Sequence, residues 1–255
     1  MLHLGAVPIL ADCDRNGNLD PHDIPRRITE HTKAIVVQHM WGMPAQIRSL
    51  AGLADVYGVQ LLEDGSHAHG AMVGSRKVGI FGRASAFSMN GPKPLSAGEG
   101  GFILTDDEQV YYRTLLHGQY NKRCRNEIPP SFSLSRFGVT GMGLKHRIHP
   151  LAAAIALEQL PRLDEHLEAR AKVANKICGE LADLAAITPP RTDSDTRPSW
   201  YGLALQYEED AHSLSIDRLY EALKAEGCVE LDRPGSTCPL NLLPLFQEPG
   251  PLFPQ

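Results

Sequence analysis

The chain has 255 residues, with 25 Lys plus Arg against 30 Asp plus Glu, a formal net charge of -5, 42% hydrophobic and 22% charged residues. A chain of this size buries roughly 70–75% of its unfolded surface on folding, enough for a substantial core. The acidic balance gives no electrostatic ground for nucleic acid or an anionic membrane as partner, and no apolar run approaches the ~18 residues of a membrane span. A small molecule is the expected partner. Cys13, Cys124, Cys178, Cys228 and Cys238 are odd in number, scattered and never in a C-x-x-C pair. That pattern predicts neither a disulfide framework nor a zinc knuckle, and it fits a reducing cytoplasm. The first residues, Met1–Asp14, have no basic stretch leading into a long apolar one and do not read as a signal peptide.

Strands are predicted at Val7–Ala11, Ala34–Gln38 and Gln60–Glu63 from short β-branched or apolar runs. Between the last two, Ile47, Leu50, Ala51, Leu53, Ala54 and Tyr57 recur at helical spacing, with Pro44 ahead of them where a proline does no harm. This is a strand–helix–strand unit, the building block of an α/β sheet. Ala84–Ser88 and Gly101–Leu104 add two strands around a loop, Met89–Gly100, punctuated by Gly91, Pro92, Pro94 and Gly98. Long loops of this kind are usually functional. A helix is expected from Asp106 to Leu116, then a basic, turn-rich loop or lid from Gly118 to Gly143. Leu151–Leu160 is almost wholly apolar and reads first as a buried core helix, with packing against a partner as the lesser alternative. Beyond Pro161, which should split the pattern, Leu163, Leu167, Ala171, Ala174, Ile177 and Leu181 mark a second helix. Thr188–Pro198 reads as a linker, Trp200–Tyr207 as a strand and Ser215–Glu226 as a helix; the last twenty residues show no usable period. The domains expected are a sheet domain over 1–160 and a connecting helix with a small α+β unit over 161–255.

The strongest chemical signal is Leu61-Leu62-Glu63-Asp64-Gly65-Ser66-His67-Ala68-His69-Gly70, an apolar strand ending in acids, histidines and glycine. In an open parallel sheet the ligand crevice lies at the carboxyl ends of the strands, which is where Asp64 and His67 fall. The alternative is that Asp64 only caps the turn; a further one is that His67, His69 and Asp64 supply metal ligands. The second signal is Phe87-Ser88-Met89-Asn90-Gly91-Pro92-Lys93, followed by Gly98-Glu99-Gly100-Gly101. A desolvated lysine in such a loop becomes a nucleophile toward carbonyl carbon, although solvated loop lysines are commoner.

Taken together, an acid closing one strand, Ser88 and then Lys93 resemble the pyridoxal phosphate site of fold-type-I enzymes, and more closely the DegT/DnrJ/StrS family of sugar aminotransferases. Thr32-Lys33-Ala34-Ile35-Val36-Val37, the Glu63–Gly70 run, the Gly143–Arg147 turn and Ala152-Ala153-Ala154 leading to Gln159-Leu160 match in the same order. The resemblance implies a PLP-dependent transferase fold of type I: a mostly parallel central sheet with helices on both faces and a small C-terminal α+β domain. It also implies roles. Lys93 would hold the cofactor covalently and then carry a proton between substrate and cofactor carbons. Asp64 would accept a hydrogen bond from the pyridine nitrogen, His67 would lie by the ring or its hydroxyl, and Ser88 would bind the phosphate. Lys145, where the family commonly has Asn, would reach the phosphate of the neighbouring subunit.

The family's amino-terminal part, with the Gly-Thr turn and helix that cradle the phosphate, aligns before Met1, and its last strand and helices align beyond Gln255. The resemblance is therefore to a core lacking both ends, with apolar surface exposed and one wall of the cofactor site absent: either another chain supplies the cover, or the site is incomplete. Lys122, Arg123 and Arg125 are either a solvated basic loop or a grip for a phosphorylated or nucleotide-linked substrate. The expected activity is transfer of an amino group from glutamate or glutamine to a keto-sugar or keto-cyclitol, in a homodimer or a heterodimer with a full-length homologue. The alternative is a catalytically silent subunit of such a homologue. Relatives that act as dehydratases replace the cofactor-bearing lysine with histidine, and Lys93 argues against that branch.

Overall fold

The computed structural model describes residues 2–118, 120–211, 214–233, 240–248 and 250. In chain order its regular elements are α1 (Ile24–Arg27), β1 (Ala34–Gln38), α2 (Ile47–Tyr57), β2 (Gln60–Asp64), β3 (Met72–Val73), β4 (Arg76–Lys77), β5 (Ala84–Ser88) and β6 (Gly101–Leu104). Then come α3 (Glu108–Gly118), α4 (Asn121–Glu127), α5 (Pro150–Gln159), α6 (Leu163–Leu181), β7 (Ile187–Thr188), β8 (Thr196–Arg197), β9 (Gln206–Tyr207), α7 (Ile216–Ala225) and α8 (Pro244–Gln247).

The central sheet has the order β1-β2-β5-β6, the first three strands parallel and β6 antiparallel to β5. Alternation along each strand sends Ile35, Val37, Leu61 and Phe87 to one face, where Ile47, Leu50 and Ala54 of α2 complete the core with the first three. Helix α2 stops at Gly58, whose φ of 64° supplies the left-handed cap that ends it. The other face carries Val36 and Ile103, 44% and 50% exposed. Parallel strands are ordinarily covered on both faces, so this strip is built to receive cover.

A second cluster joins the Met89–Gly100 loop to α6: Met89, Leu95 and Ala97 pack with Leu163 and Leu167. This seats the loop that carries Lys93. Helix α5 differs from its reading as a buried core helix. It contains no buried residue, and Leu151 and Leu157 are 70% and 69% exposed. It is apolar all round, so sequence period cannot tell core from interface.

Further elements differ from the sequence reading: the Thr188–Pro198 segment, read as a linker, contributes β8, which pairs with β3. Val7–Ala11 forms no strand; only Cys13 pairs, in an isolated bridge with Leu19. Trp200–Tyr207 pairs only at β9, because Trp200 adopts a φ of 52° that no strand accommodates. The Gly118–Gly143 loop contains α4, held by Arg123 on Glu127 at 2.7 Å and by Cys124 and Ile128 packing with Leu115 and Leu116. Arg123 is thereby occupied within its own helix. Cys13, Cys124, Cys178 and Cys228 are free thiols; Cys238 and much of the final Pro/Leu-rich stretch lie outside the described residues.

Candidate active site

Three loops leave the carboxyl ends of β1, β2 and β5, and a buried polar platform fixes the first two. His39, just after β1, and Glu63, in β2, are both fully enclosed and meet at 3.1 Å. The His39 Nδ1 accepts the Ala45 amide at 3.0 Å, so the proton of the neutral ring sits on Nε2 and is donated to Glu63. The Glu63 carboxylate also accepts the amides of Gly79, Phe81 and Gly82, each at 2.7 Å. Burial pushes this carboxyl up, but the His39 donor and the Gly82 and Gly79 amides outweigh it and hold Glu63 below its ordinary value. Asn18 extends the platform, donating to the Met43 carbonyl and accepting the Met40 amide.

Asp64 ends β2 on the opposite face from Glu63. Its Oδ1 accepts the Ser66 amide at 2.9 Å, closing the turn that presents His67. The His67 ring lies against Tyr201, with centroids 4.0 Å apart and planes 11° from parallel, and Trp41 flanks it at 6.0 Å. The Lys93 ammonium sits 4.5 Å from the Tyr201 ring centre. Among the described residues it has no carboxylate within ion-pair distance. Burial pushes the Lys93 ammonium toward the neutral amine, with Asp64 opposing. Strand register puts Ser88, at the end of β5, on the same sheet face as Asp64, and the Ser88 hydroxyl oxygen accepts the Asn90 amide at 3.3 Å.

Asp64, His67 and Lys93 are thus brought together from two segments, the end of β2 with its turn and the loop after β5, with Ser88 at the neighbouring strand end. Lys145 is not joined to them by any hydrogen bond or ion pair among the described residues; it is exposed, in a turn with a φ of 53°. Sequence reading missed Tyr201, Trp41 and Ser199. Ser199 donates to the His67 carbonyl at 2.7 Å, and its amide and that of Gly202 bond the Gly42 and Trp41 carbonyls at 2.9 and 3.1 Å. This strap arrives from more than a hundred residues away, and no local pattern announces it. His39 and Glu63 did leave a signal: an acid at the buried parity of a strand requires a buried partner.

His69 packs between Phe87 and Phe102 at 5.2 and 6.1 Å, and neither ring nitrogen has a hydrogen-bond partner among the described residues. Burial, with the charge of Lys93 adding to it, drives both His67 and His69 down to about 4. An unfolded histidine titrates near ~6.5. The unfolded chain therefore binds more protons as pH falls through this window, and stability that is full above about pH 6.5 is lost toward pH 4. For His69 the loss is about 2 kcal/mol by pH 5, and smaller for the less buried His67. Urea titrations at pH 7.5 and 5 should show this drop, and His69→Phe, which keeps the aromatic packing, should remove most of it. A His69→Phe protein with the wild-type pH dependence would contradict the assignment.

Among the described residues no group of three or more His, Cys, Asp or Glu side chains is arranged to hold a metal ion, and no helix is long and apolar enough to cross a membrane.

The chain is similar in sequence and fold to known proteins. Spore coat polysaccharide biosynthesis protein SpsC of Bacillus subtilis is 33% identical over 89% of this chain and 59% of its own length. L-glutamine:2-deoxy-scyllo-inosose aminotransferase of Streptoalloteichus tenebrarius is 36% identical over 88% of this chain and 53% of its own. Among solved structures, Helicobacter pylori PseC, an aminotransferase of pseudoaminic acid biosynthesis, superposes with a TM-score of 0.80 at 24% identity, covering 96% of this chain and 63% of that one. DesI, solved with its TDP-sugar product, gives a TM-score of 0.74 at 29% identity over 95% and 62%. The chain spans little more than half the length of the curated relatives it matches. The fold is that of the type I aminotransferases. Residues 1–250 match the profile of the DegT/DnrJ/EryC1/StrS aminotransferase family, and the chain belongs to that family.

Proposed function

We propose that this chain carries the reactive-lysine part of a pyridoxal-phosphate-dependent aminotransferase that converts a keto-sugar or keto-cyclitol to its amino compound, with glutamine or glutamate as donor. The observation that carries the reading is the convergence of Lys93, His67 and Asp64 at the carboxyl ends of parallel strands, with Lys93 partly buried and without an ion-pair partner among the described residues. The residues fit the cofactor. His67 Nδ1 is buried and has no hydrogen-bond partner among the described residues, one Asp64 oxygen is not taken up by the turn, and the Ser88 hydroxyl accepts a bond but keeps its proton to donate.

Pyridoxal phosphate supplies, when bound, the aldehyde and the electron sink that amino-group transfer needs. The chain's own residues do the rest. Burial shifts Lys93 toward the free amine, the form that attacks a carbonyl, and the same nitrogen would then hold or release a proton at the substrate carbon. The Asp64 carboxylate stabilises positive charge at a ring nitrogen. Neutral His67 offers a hydrogen-bonding edge without adding charge beside Lys93. Ser88 would donate to an anion, and Lys145, which is exposed, would supply a point charge to the phosphate of a second subunit. The expected result with purified protein is visible absorption on adding pyridoxal phosphate, and a borohydride-fixed pyridoxyl group on the peptide containing Lys93. Fixation elsewhere, or none in a folded protein, overturns the reading.

The partner is a second polypeptide of the same family, a copy of this chain or a longer homologue, working in the cytoplasm. The exposed leucines of α5 and the open sheet face with Val36 and Ile103 support this, since exposed large apolar side chains of this kind suit an interface. Leu151→Glu with Leu157→Glu should shift sedimentation from dimer to monomer with circular dichroism unchanged. A wild-type chain that sediments as a monomer, alone and with a longer homologue, removes the argument for a partner.

A further inference from the structure

Tyr201 belongs to none of the motifs that suggest the activity, yet it touches both Lys93 and His67. We infer that Tyr201 is a positioning residue for Lys93: its ring face seats the lysine nitrogen while the strap that carries it locks the His67 turn. The inference rests on the reading of Lys93 as the reactive amine, and adds what holds that amine when it is not bonded to cofactor.

The strap is fixed at four points. Ser199 bonds to Gly42 and His67, Gly202 bonds to Trp41, and Arg170 of α6 donates to the Trp200 carbonyl at 3.0 Å. Trp41 and Trp200, which flank these bonds, both take φ values in the left-handed region, 56° and 52°. Tertiary bonds hold them there against their own preference, as strained backbone at functional sites usually requires. The product of this bracing is one half-buried aromatic ring, Tyr201, set against the His67 imidazole at 4.0 Å and within 4.5 Å of Lys93 Nζ. The face of an aromatic ring is its negative pole, so it attracts the ammonium and orients it. A lysine on a four-carbon stem, with no carboxylate in ion-pair range, has no other fixed seat among the described residues.

The groups facing Lys93 act in opposing directions. Asp64 favours its charged form, burial disfavours it, and His67 and His69, both sensing its charge, remain neutral. The ring adds to the side of Asp64. It keeps the nitrogen near the strand ends in the protonated state and leaves the neutral amine free to depart, which a carboxylate partner at closer range would oppose more strongly.

The test reads Lys93 itself, without cofactor. The pH dependence of acetic anhydride labelling at the Lys93 peptide, followed by mass spectrometry, gives its pKa in the folded protein. Tyr201→Phe should leave the value unchanged, since the ring face is kept. Tyr201→Leu, which stays apolar but has no face, should lower it by about half a unit to one unit, matching the usual size of such contacts. Because Tyr201→Leu alters packing, fluorinated phenylalanines at position 201 provide a second series: ring shape is kept while the face loses negative charge, and the Lys93 value should fall stepwise with each fluorine. A flat fluorine series, or a rise in Tyr201→Leu, overturns the inference. Failure of pyridoxyl fixation at Lys93 would instead overturn the functional reading, so the two are separable.

Discussion

Lys93→Ala is expected to abolish covalent pyridoxal phosphate attachment, leaving no visible chromophore and no pyridoxyl peptide after borohydride. Lys93→Arg should do the same while retaining the charge, because a guanidinium is not deprotonated at working pH and cannot attack an aldehyde. Any aminotransferase activity measured with the wild-type assembly should fall by at least about 10³-fold in both, since nucleophile and proton carrier are lost together. Folding should be little affected. Lys93 makes no side-chain hydrogen bond or ion pair among the described residues, and its contact with the Tyr201 ring is a small loss to the fold. A thermal midpoint within a few degrees of wild type would therefore accompany complete loss of attachment. If Lys93→Ala still formed a reducible adduct and turned over, another lysine would be the attachment point, and the convergence around Tyr201 would need a different explanation.

The sequence made the sheet legible because its signals are local. Ala34–Gln38, Ala84–Ser88 and Gly101–Leu104 are observed at the bounds their composition implies, and α2 follows its apolar spacing. The chemistry at strand ends was legible for the same reason: a parallel sheet exposes the residues just beyond its carboxyl ends, so Asp64, His67 and Lys93 could be singled out before their distances were known. The features that were not legible depend on contacts distant in sequence. Val7–Ala11 has a strand's composition but pairs with no strand among the described residues. Helix α5 has the composition of a core helix, and its exposure is decided by which surfaces reach it. Tyr201 was read as one residue of an alternating strand, whereas the left-handed Trp200 beside it breaks that strand and turns the ring toward His67.

Gly42→Ala should be the most damaging single-methyl change in the site region. At Gly42 an added Cβ would lie 2.3 Å from the Ser199 hydroxyl, 2.8 Å from the Tyr201 amide and 2.9 Å from the His67 carbonyl, and φ is already +83°. Two of those three neighbours are backbone, so no rotamer change relieves them. Left-handed strain and backbone overlap together are expected to cost about 3–5 kcal/mol, a fall in thermal midpoint on the order of 10 °C. Ser199→Ala added to Gly42→Ala removes the closest contact and should recover only a minor part of the loss. Gly52 is the control: it lies within α2 with nothing inside 4 Å of an added Cβ, and Gly52→Ala should stabilise by about 0.5–1 kcal/mol through helix propensity. Urea unfolding of the four proteins checks the set, and a Gly42→Ala chain as stable as wild type would show that the three loops do not meet at these distances. The damage should also extend beyond stability. The Cβ would push apart the segments that carry His67 and Tyr201, so the Lys93 labelling curve should move toward that of Tyr201→Leu in Gly42→Ala and stay at wild type in Gly52→Ala. A glycine with no chemistry of its own would then be controlling the amine at the centre of the site, through the strap that glycine alone leaves room for.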